Sequence, residues 1–526
     1  MTKAGKEQGM QAGTVYKNHG SLAQLAEQLA FNQLVEGSNP SRPTNHNNKF
    51  VLFMRRTLNL PTVLQLSWLI LILLVSLYLR IKGLTTQSYW NDELATIVLT
   101  DPDNSLYQVI IETLRDKSPP LYQLILWAWF KLFGFTELTG RSLSAFFGIL
   151  AVPAMYFMAR EYTDRDTAIY ASLLTGLNYF HILFSQEVRS YGLFFLLTTL
   201  SLMFLSRLIR ESNNRNLVLY TFLTICLVQV HYYGVLVYLG QLSVLFMYKK
   251  INNTPHDIPA RYLKINSCST LGSMIPVIPY MVKNALKETV WIKTPDLDFQ
   301  VEYFIRYFGG EVIAVVYAFL FIVGLVFLIR QKAWNRRLLV HLLLFFLLFV
   351  YLLPYIRSVL STPMLVSRYT IGALPVLILI IAAGISVIKH NTLRRLTLAV
   401  VIILSIKVLF IDKDYYGGIH KQQYREAIED VKDNYKDIPV YACKEERIDK
   451  YSRMLGHPIS TINKNNMFFQ LENSSAPEQF LYISSECCGC SDSNEQIRDY
   501  ARKYNYTLVD TIMKKGVTIF LLSAAD

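Results

Sequence analysis

Apolar and polar positions separate into long blocks along this chain. Apolar runs lie at 62–81, 141–159, 167–184, 191–209, 216–231, 234–248, 265–284, 309–329, 337–354, 370–388 and 396–412. Most approach the roughly 20 residues that a helix needs to cross a hydrocarbon layer, and shorter runs suffice where neighbours thin the bilayer. A further apolar segment, 119–134, is short and opens on Pro119-Pro120. Beyond 413 no membrane-length run occurs. There Gln422–Tyr435 has the period of an amphipathic helix and Asn494–Lys503 reads as a second one. Ile438–Ala442, Phe480–Ser484, Tyr506–Asp510 and Val517–Leu522 read as short strands. The pattern predicts an all-α polytopic membrane protein carrying a small C-terminal α/β domain.

Charge sets the register of the spans. Six connections are basic: Arg55-Arg56; Arg160 and Arg165; Arg207, Arg210 and Arg215; Lys249, Lys250, Arg261 and Lys264; Arg330, Lys332, Arg336 and Arg337; and Lys389, Arg394 and Arg395. All six share one side if segment 119–134 does not cross, and the positive-inside rule makes that side cytoplasmic. Segment 119–134 is then a juxtamembrane or half-embedded helix at the outer surface. About eleven spans follow, within a range of about 11–13 set by the short segments. Residues 1–53 form a tail, 54–412 a membrane domain and 413–526 an extracytoplasmic domain. All the unusual polar clusters fall on the outer side.

Composition supports this reading. The 526 residues are 52% hydrophobic and only 17% charged, unlike a soluble domain of this length. The net charge of +13 does not argue for nucleic acid, because Lys and Arg collect in cytoplasmic loops. Cys226 and Cys268 lie in apolar segments and read as packing residues. Cys487, Cys488 and Cys490 have no neighbouring His and no second Cys-x-x-Cys, so a disulfide from Cys443 to one of the three is expected over a metal cluster.

The first fifty residues differ from the rest. A disordered cytoplasmic tail with a short helix near Leu22–Leu34 is one reading. The other is that the run from Gly20 to Thr44 resembles a translated transfer-RNA gene. Gly37-Ser38-Asn39-Pro40 can be encoded by the T-arm consensus, and Ala30-Phe31-Asn32 by an anticodon loop reading lysine codons. The true start is then Met54, and amino-terminal sequencing of the native chain decides between the two.

Three polar clusters carry the chemistry. Asp92 and Glu93 follow the first apolar run, in Tyr89-Trp90-Asn91-Asp92-Glu93-Leu94. Carboxylates at the mouth of a span are costly unless they face water, a cation or a partner. They read either as caps of a helix beginning near Leu94 or as a general base for a hydroxyl acceptor. Lys117 precedes Ser118-Pro119-Pro120-Leu121-Tyr122; it either snorkels or holds a phosphate as a point charge. Glu187 and Arg189 lie in Ser185-Gln186-Glu187-Val188-Arg189-Ser190-Tyr191. They read as a local ion pair, or as a metal or acceptor ligand beside a phosphate-binding Arg. His231-Tyr232-Tyr233 and Ser367-Arg368-Tyr369 stand at outer span ends, as interfacial aromatics or site residues. Glu311, after Gly309-Gly310, is a further candidate. His341 and Lys407 read as structural. No Walker loop, Rossmann fingerprint, His-Glu-x-x-His or Gly-x-Ser-x-Gly occurs, so soluble nucleotide chemistry is unsupported.

Taken in order, Trp90–Glu93, Pro119-Pro120-Leu121-Tyr122 with Arg141-Ser-Leu-Ser-Ala-Phe-Phe-Gly, and Ser185–Tyr191 resemble the polyprenyl-phosphate-sugar-dependent glycosyltransferases. This is the superfamily of protein O-mannosyltransferases and aminoarabinose transferases, with the glycosyltransferase-C fold. The likeness is best over Leu74–Ile209 and weaker at His231 and Ser367–Pro375. It implies inverting transfer of mannose or a related sugar from a polyprenyl-phosphate carrier to a lipid, protein or polysaccharide hydroxyl, at the outer face of the cytoplasmic membrane. It implies Asp92 as base, Glu93 beside it and Glu187 as the second acidic position. Lys117, Arg189 and Arg368 would hold the leaving phosphate, with Tyr191, His231, Tyr232 and Tyr369 lining the substrate. Where the family often has His before Pro-Pro, this chain has Ser118 preceded by Lys117, which leaves the phosphate ligand open. Members with this fold differ in needing a metal, so metal use is open; a divalent metal, if used, would sit on Asp92 and Glu187. Three rivals stand beside this reading: a transporter or flippase, for which no inverted repeat is seen; a binder of lipid-linked sugars without turnover; and an enzyme of the same fold with another donor, such as an oligosaccharide-diphosphate lipid, which would usually need a larger soluble domain than 413–526.

Overall fold

A computed structural model describes residues 60–116, 118–250, 258–285, 292–473, 477–486 and 492–525. The tail with Met54 and Arg55-Arg56, together with Lys117, Cys487, Cys488 and Cys490, lies outside these residues. From Gln65 to Asp526 the chain forms one compact unit.

Every predicted apolar run is helical, because a backbone in hydrocarbon must satisfy its own polar groups. Five helices are long and apolar enough to cross a membrane among the described residues: Glu137–Tyr162, Tyr191–Arg210, Glu311–Arg330, Trp334–Leu360 and Ser367–Ser386. Other runs are shorter or interrupted, which the sequence reading did not anticipate. Run 167–184 becomes Arg165–Leu177 and Tyr179–Ser185, and run 265–284 becomes Ala260–Gly272 and Ile278–Ala285. Segment 119–134 is the helix Leu121–Phe133. At 1.5 Å per residue it rises about 20 Å, too little to span a core about 30 Å thick. Exposed apolar side chains such as Ile70, Leu74, Val315, Phe319, Ile322 and Ile403 give the bundle a lipid-facing surface.

The break at Asn178 is held by specific bonds. The Asn178 side chain caps the second half by accepting from the His181 N–H at 2.8 Å. Arg80, fully buried, donates to the freed carbonyls of Gly176 at 3.0 Å and Thr175 at 3.1 Å, and meets His181 Nδ1 at 2.7 Å. Gln186 returns the favour, donating to the carbonyls of Arg80 at 2.9 Å and Lys82 at 2.7 Å, where the Leu60–Ile81 helix ends. The loop 186–190 is thereby anchored to the first helix.

Helices Glu311–Arg330 and Leu374–Ser386 touch through two glycines. A Cβ on Gly324 would lie 2.0 Å from the Ile380 carbonyl oxygen, and one on Gly384 2.0 Å from that of Leu320. Small residues permit such backbone approach inside a membrane. Gly384→Leu is expected to force the pair apart and destabilise the protein by about 1–3 kcal/mol. Thermal unfolding in detergent checks this; an unchanged midpoint would refute it.

The C-terminal region carries a five-stranded sheet of order β2-β1-β3-β5-β4. Its strands are β1 (Val440–Ala442), β2 (Thr461–Asn463), β3 (Gln479–Ser485), β4 (Tyr506–Lys514) and β5 (Val517–Ala524). β1 pairs in parallel with β2 and β3, while β3, β5 and β4 are antiparallel. The four predicted strands and both predicted helices are present. The helices Glu445–Met454 and Lys464–Glu472 and the three-residue β2 were not predicted. Cys443 is disulfide-bonded, whereas Cys226 and Cys268 are free. The partners expected for Cys443, namely Cys487, Cys488 and Cys490, lie outside the described residues.

Candidate active site

The acidic pair lies in the first turn of the helix Asn91–Leu99, which Trp90 caps. Both carboxylates complement the positive end of the helix, so the capping reading and the site reading share one geometry. The two side chains nevertheless part. Glu93 turns inward and is fully buried. One of its oxygens accepts from Arg141 Nε at 3.0 Å and the Val188 N–H at 2.9 Å; the other accepts from an Arg141 terminal nitrogen at 2.9 Å, Lys421 Nζ at 2.9 Å and the Trp90 N–H at 3.3 Å. Burial by itself would raise the Glu93 pKa, but the Arg141 and Lys421 charges and hydrogen bonds overcome it and hold the carboxyl at about 2. Arg141 also donates to the carbonyls of Leu84, Gln87 and Ser88 and lies over the Tyr89 ring at 4.6 Å. Glu93 is thus the hub joining the loop 82–90, the Arg141 helix and the loop 186–190.

Asp92 turns outward. Its side chain is 25% exposed and sits 3.3 Å from the Arg368 guanidinium. Arg189 donates to the Asp92 carbonyl at 3.2 Å and to Thr96 Oγ1 at 3.0 Å. It does not form the local ion pair with Glu187 that one sequence reading offered; the link between them is a backbone bond, Arg189 N–H to the Glu187 carbonyl, at 2.7 Å. Aromatic rings wall the two arginines. Arg368 lies 5.5 Å from the Trp90 ring and 5.6 Å from Tyr369, and Arg189 lies 5.9 Å from Tyr191. The His231 ring is 5.8 Å from Tyr191 and 5.1 Å from Tyr369. Burial first, then Arg189 and Arg368, depress the His231 pKa to about 3, so it is a neutral ring near pH 7. The Arg189 Nε and the Tyr191 hydroxyl are buried without a hydrogen-bond partner among the described residues.

The Pro-Pro motif acts at one remove. Pro120 opens the helix Leu121–Phe133, and the Tyr122 hydroxyl meets Ser144 Oγ at 2.8 Å. Ser144 in turn donates to the Arg189 carbonyl at 3.3 Å. The motif therefore steadies the loop that carries Arg189.

Glu187 is buried next to this cluster, with one oxygen 4.0 Å from Lys421 Nζ and the other without a hydrogen-bond partner among the described residues. Burial, opposed by Lys421, raises its pKa to about 7.

The structure thus brings together Asp92, Glu93, Glu187, Arg189, Tyr191, His231, Arg368 and Tyr369. Tyr232 points elsewhere: it packs in a separate apolar cluster with Val228, Tyr238 and Met274, because neighbouring residues at a helix start face different ways. Glu311 is exposed in the first turn of its own helix, a position that the helix dipole favours without any site. His341 hydrogen-bonds Tyr248 at 3.1 Å. No group of three or more His, Cys, Asp or Glu side chains able to hold a metal ion occurs among the described residues.

Sequence reasoning missed the contribution of the C-terminal region. Besides Lys421, Arg425 donates to the carbonyls of Thr85 and Thr86 and pairs with Glu137 at 2.8 Å. Gln422 accepts from the Asn91 N–H at 3.0 Å, and the Tyr451 hydroxyl accepts from the Tyr89 N–H at 3.0 Å. Lys450 and Arg453 pair with the buried Asp101. No motif announced these residues, since isolated basic and polar side chains in a polar segment carry no pattern. Deleting 413–526 should therefore loosen residues 84–93 and abolish lipid-donor binding and transfer together. Retained donor binding in the truncated protein would contradict this.

Opposite the cluster, Glu161 binds Arg207 at 2.6 Å and Arg210 at 2.5 Å. Arg207 and Arg210 close the helix whose first residue is Tyr191, so the acidic site and this basic group lie about 30 Å apart along one span.

Residues 117–263 match the family model described as dolichyl-phosphate-mannose-protein mannosyltransferase. No curated protein sequence gives a significant match. Among solved structures, ArnT from Cupriavidus metallidurans bound to undecaprenyl phosphate aligns with a TM-score of 0.56 and 11% identity, covering 87% of this chain and 97% of that one. The archaeal oligosaccharyltransferase AglB from Archaeoglobus fulgidus, in complex with an inhibitory peptide and a dolichol-phosphate, aligns at 0.50 and 12%, covering 80% and 69%. The arabinofuranosyltransferase AftD from Mycobacteria aligns at 0.51 and 13%, covering 88% of this chain and 40% of that one. At these identities the likeness is one of fold. Fold, family match and sequence motifs agree on one class, a membrane glycosyltransferase with the glycosyltransferase-C fold. The resemblance read from the motifs is borne out at that level.

Proposed function

We propose that the chain transfers a sugar, mannose or a close relative, from a polyprenyl-phosphate carrier to an acceptor hydroxyl with inversion. The observation that carries this reading is the rim formed by Asp92, Arg368 and Arg189: one partly exposed carboxylate beside two guanidiniums, at the end of a helical membrane bundle. Asp92 takes the acceptor proton as the oxygen attacks C1 of the sugar from the face opposite the phosphate. The C1–O bond breaks, and the pair of electrons leaves on the polyprenyl phosphate. Arg189 and Arg368 meet the charge that develops on that phosphate, and Arg suits phosphate oxygens because it binds them bidentately. Lys117 is a third cation for the same group. Tyr191, His231 and Tyr369 form the wall against which the sugar and the first isoprene units rest. Undecaprenyl phosphate on ArnT and dolichol-phosphate on AglB support a lipid-linked donor.

The basic connections support the outer face of the cytoplasmic membrane as the site of transfer. On this reading residues 54–412 are the membrane catalytic part and 413–526 an extracytoplasmic domain. A divalent cation, were one used, would find Asp92 and Glu187 as carboxylate donors, since Glu93 is held by Arg141 and Lys421, and Asp92 is already paired with Arg368.

The test is sugar release from radiolabelled polyprenyl-phosphate mannose by the full chain in liposomes, followed by a panel of other polyprenyl-phosphate sugars. Transfer of one of them, with a product of opposite anomeric configuration, supports the reading. Lipid binding without turnover across the whole panel, with acceptors supplied, sinks it in favour of a binder.

A further inference from the structure

We propose that the C-terminal sheet carries an acceptor site: a crevice at the ends of β1 and β3 in which Lys444 and Arg447 hold a phosphate group of the acceptor. It rests on the transfer reading above and gives the acceptor a chemical class. The sheet topology places the crevice. β1 lies between β2 and β3 and is parallel to both. The helix that follows β1, Glu445–Met454, packs with Ile448 on the sheet face of Ala442, Leu481 and Ile483. The helix that follows β3, Asn494–Lys503, packs with Ile497 on the opposite face, that of Tyr441, Phe480 and Tyr482. Two neighbouring parallel strands are thus followed by helices on opposite faces. In open α/β sheets, ligands bind outside the carboxyl ends of strands at such a switch point. Here a crevice opens at that position, lined among others by Tyr424, Cys443, Lys444, Arg447, Ile448 and Ser485.

The crevice is joined to the transfer site by direct bonds. An Arg447 terminal nitrogen donates to Asn91 Oδ1, and Asn91 immediately precedes Asp92. Gln422 spans the same junction: it accepts from the Asn91 N–H at 3.0 Å and donates to the Glu486 carbonyl, just past the end of β3, at 3.1 Å. A molecule anchored in the crevice therefore lies beside the turn that presents Asp92. The charge of the crevice is of one sign. Lys444 and the remaining side-chain N–H groups of Arg447 have no hydrogen-bond or ion-pair partner among the described residues. No carboxylate is among the lining residues. Of the acidic residues nearby in sequence, Glu445 accepts from Asn463 at 2.8 Å, and Glu446 and Glu486 are exposed to water. A guanidinium fork beside a lysine point charge suits the several oxygens and double charge of a phosphate.

The experiment measures binding of radiolabelled inorganic phosphate to the full chain in phosphatidylcholine nanodiscs. Undecaprenyl phosphate is present in excess, so that the donor's phosphate position is filled. Wild type is compared with Lys444→Gln, Arg447→Gln and Arg447→Lys. Lys444→Gln and Arg447→Gln should each weaken phosphate binding by about 10-fold, the worth of one charge-assisted hydrogen bond, and Arg447→Lys should recover part of the loss. Lys444 is exposed and makes no bond, so its variant decides the matter even if Arg447→Gln fails to fold. Displacement of the phosphate by glucose 6-phosphate, and not by glucose, supports the site and points to a soluble acceptor. Displacement by phosphatidic acid added to the disc supports it and points to a lipid acceptor. The proposal is overturned if wild type binds no phosphate under these conditions, if binding is undiminished in Lys444→Gln, or if neither phosphate ester competes. The binding needs no turnover, so the two readings fail separately. Lys444-dependent phosphate binding in a protein that transfers no lipid-linked sugar sinks the transfer reading. Transfer by a protein whose phosphate binding ignores Lys444 and Arg447 sinks the crevice.

Discussion

Asp92→Asn should lower sugar transfer by about 10²–10⁴-fold while leaving polyprenyl-phosphate binding in place. The substitution keeps the shape and still offers Arg368 an acceptor oxygen, but it cannot take a proton. The side chain is partly open to solvent, unlike Glu93, so an acceptor hydroxyl can approach it. The arginines that hold the phosphate are attached by other means: Arg189 through Thr96 and the Asp92 carbonyl, Arg368 through the Trp90 and Tyr369 rings. Single-turnover rates in liposomes and a separate lipid-binding measurement distinguish the two effects. If Asp92 served only to orient Arg368, lipid binding would fall in step with rate, and the assignment as base would be wrong.

The second large effect concerns folding. Glu93→Gln should destabilise the protein by about 3–5 kcal/mol, because it leaves Arg141 and Lys421 buried without their counter-charge. The cost depends on pH in a defined direction. The folded Glu93 carboxyl is held at about 2, below the usual carboxylate range, so its contribution is present above the unfolded value. It is lost as pH falls from there toward 2, and the difference between wild type and Glu93→Gln should narrow over that window. Arg141→Met alone should be comparably severe, and the double variant less severe than the sum, since the two partners share one interaction. Thermal unfolding in detergent at neutral and acid pH measures all of this. A Glu93→Gln protein as stable as wild type at neutral pH would show that the hub does not hold the loops.

Much of the site was legible as composition and order. Asp92, Glu187, Arg189 and Arg368 are charges at the ends of apolar runs, where a charge without function is disfavoured, and the structure gathers them. Tyr232 was not separable from His231, because two adjacent residues at a helix start differ in direction only once the backbone is placed. Glu93 and Asp92 were likewise one motif in the sequence. Only the packing of Arg141 and Val188 against one of them turned it into a buried hub. Run 167–184 read as a single span, and its break depends on a cap from Asn178 and on carbonyl acceptance from Arg80, nearly a hundred residues away.

By itself the sequence determined the helical membrane architecture, the positions of nearly every apolar helix, four of the five strands of the C-terminal sheet and the side of the bundle on which the chemistry gathers. These follow from local periodicity and from the cost of charge in hydrocarbon, both of which act residue by residue. Tertiary structure alone decided which carboxylate is open and which is a hub, and that Lys421, Arg425 and Tyr451 reach back across more than three hundred residues to fix the first loop. Such contacts depend on distances that no local pattern encodes. An isolated lysine in a polar segment becomes part of a site only when the fold buries it between two carboxylates.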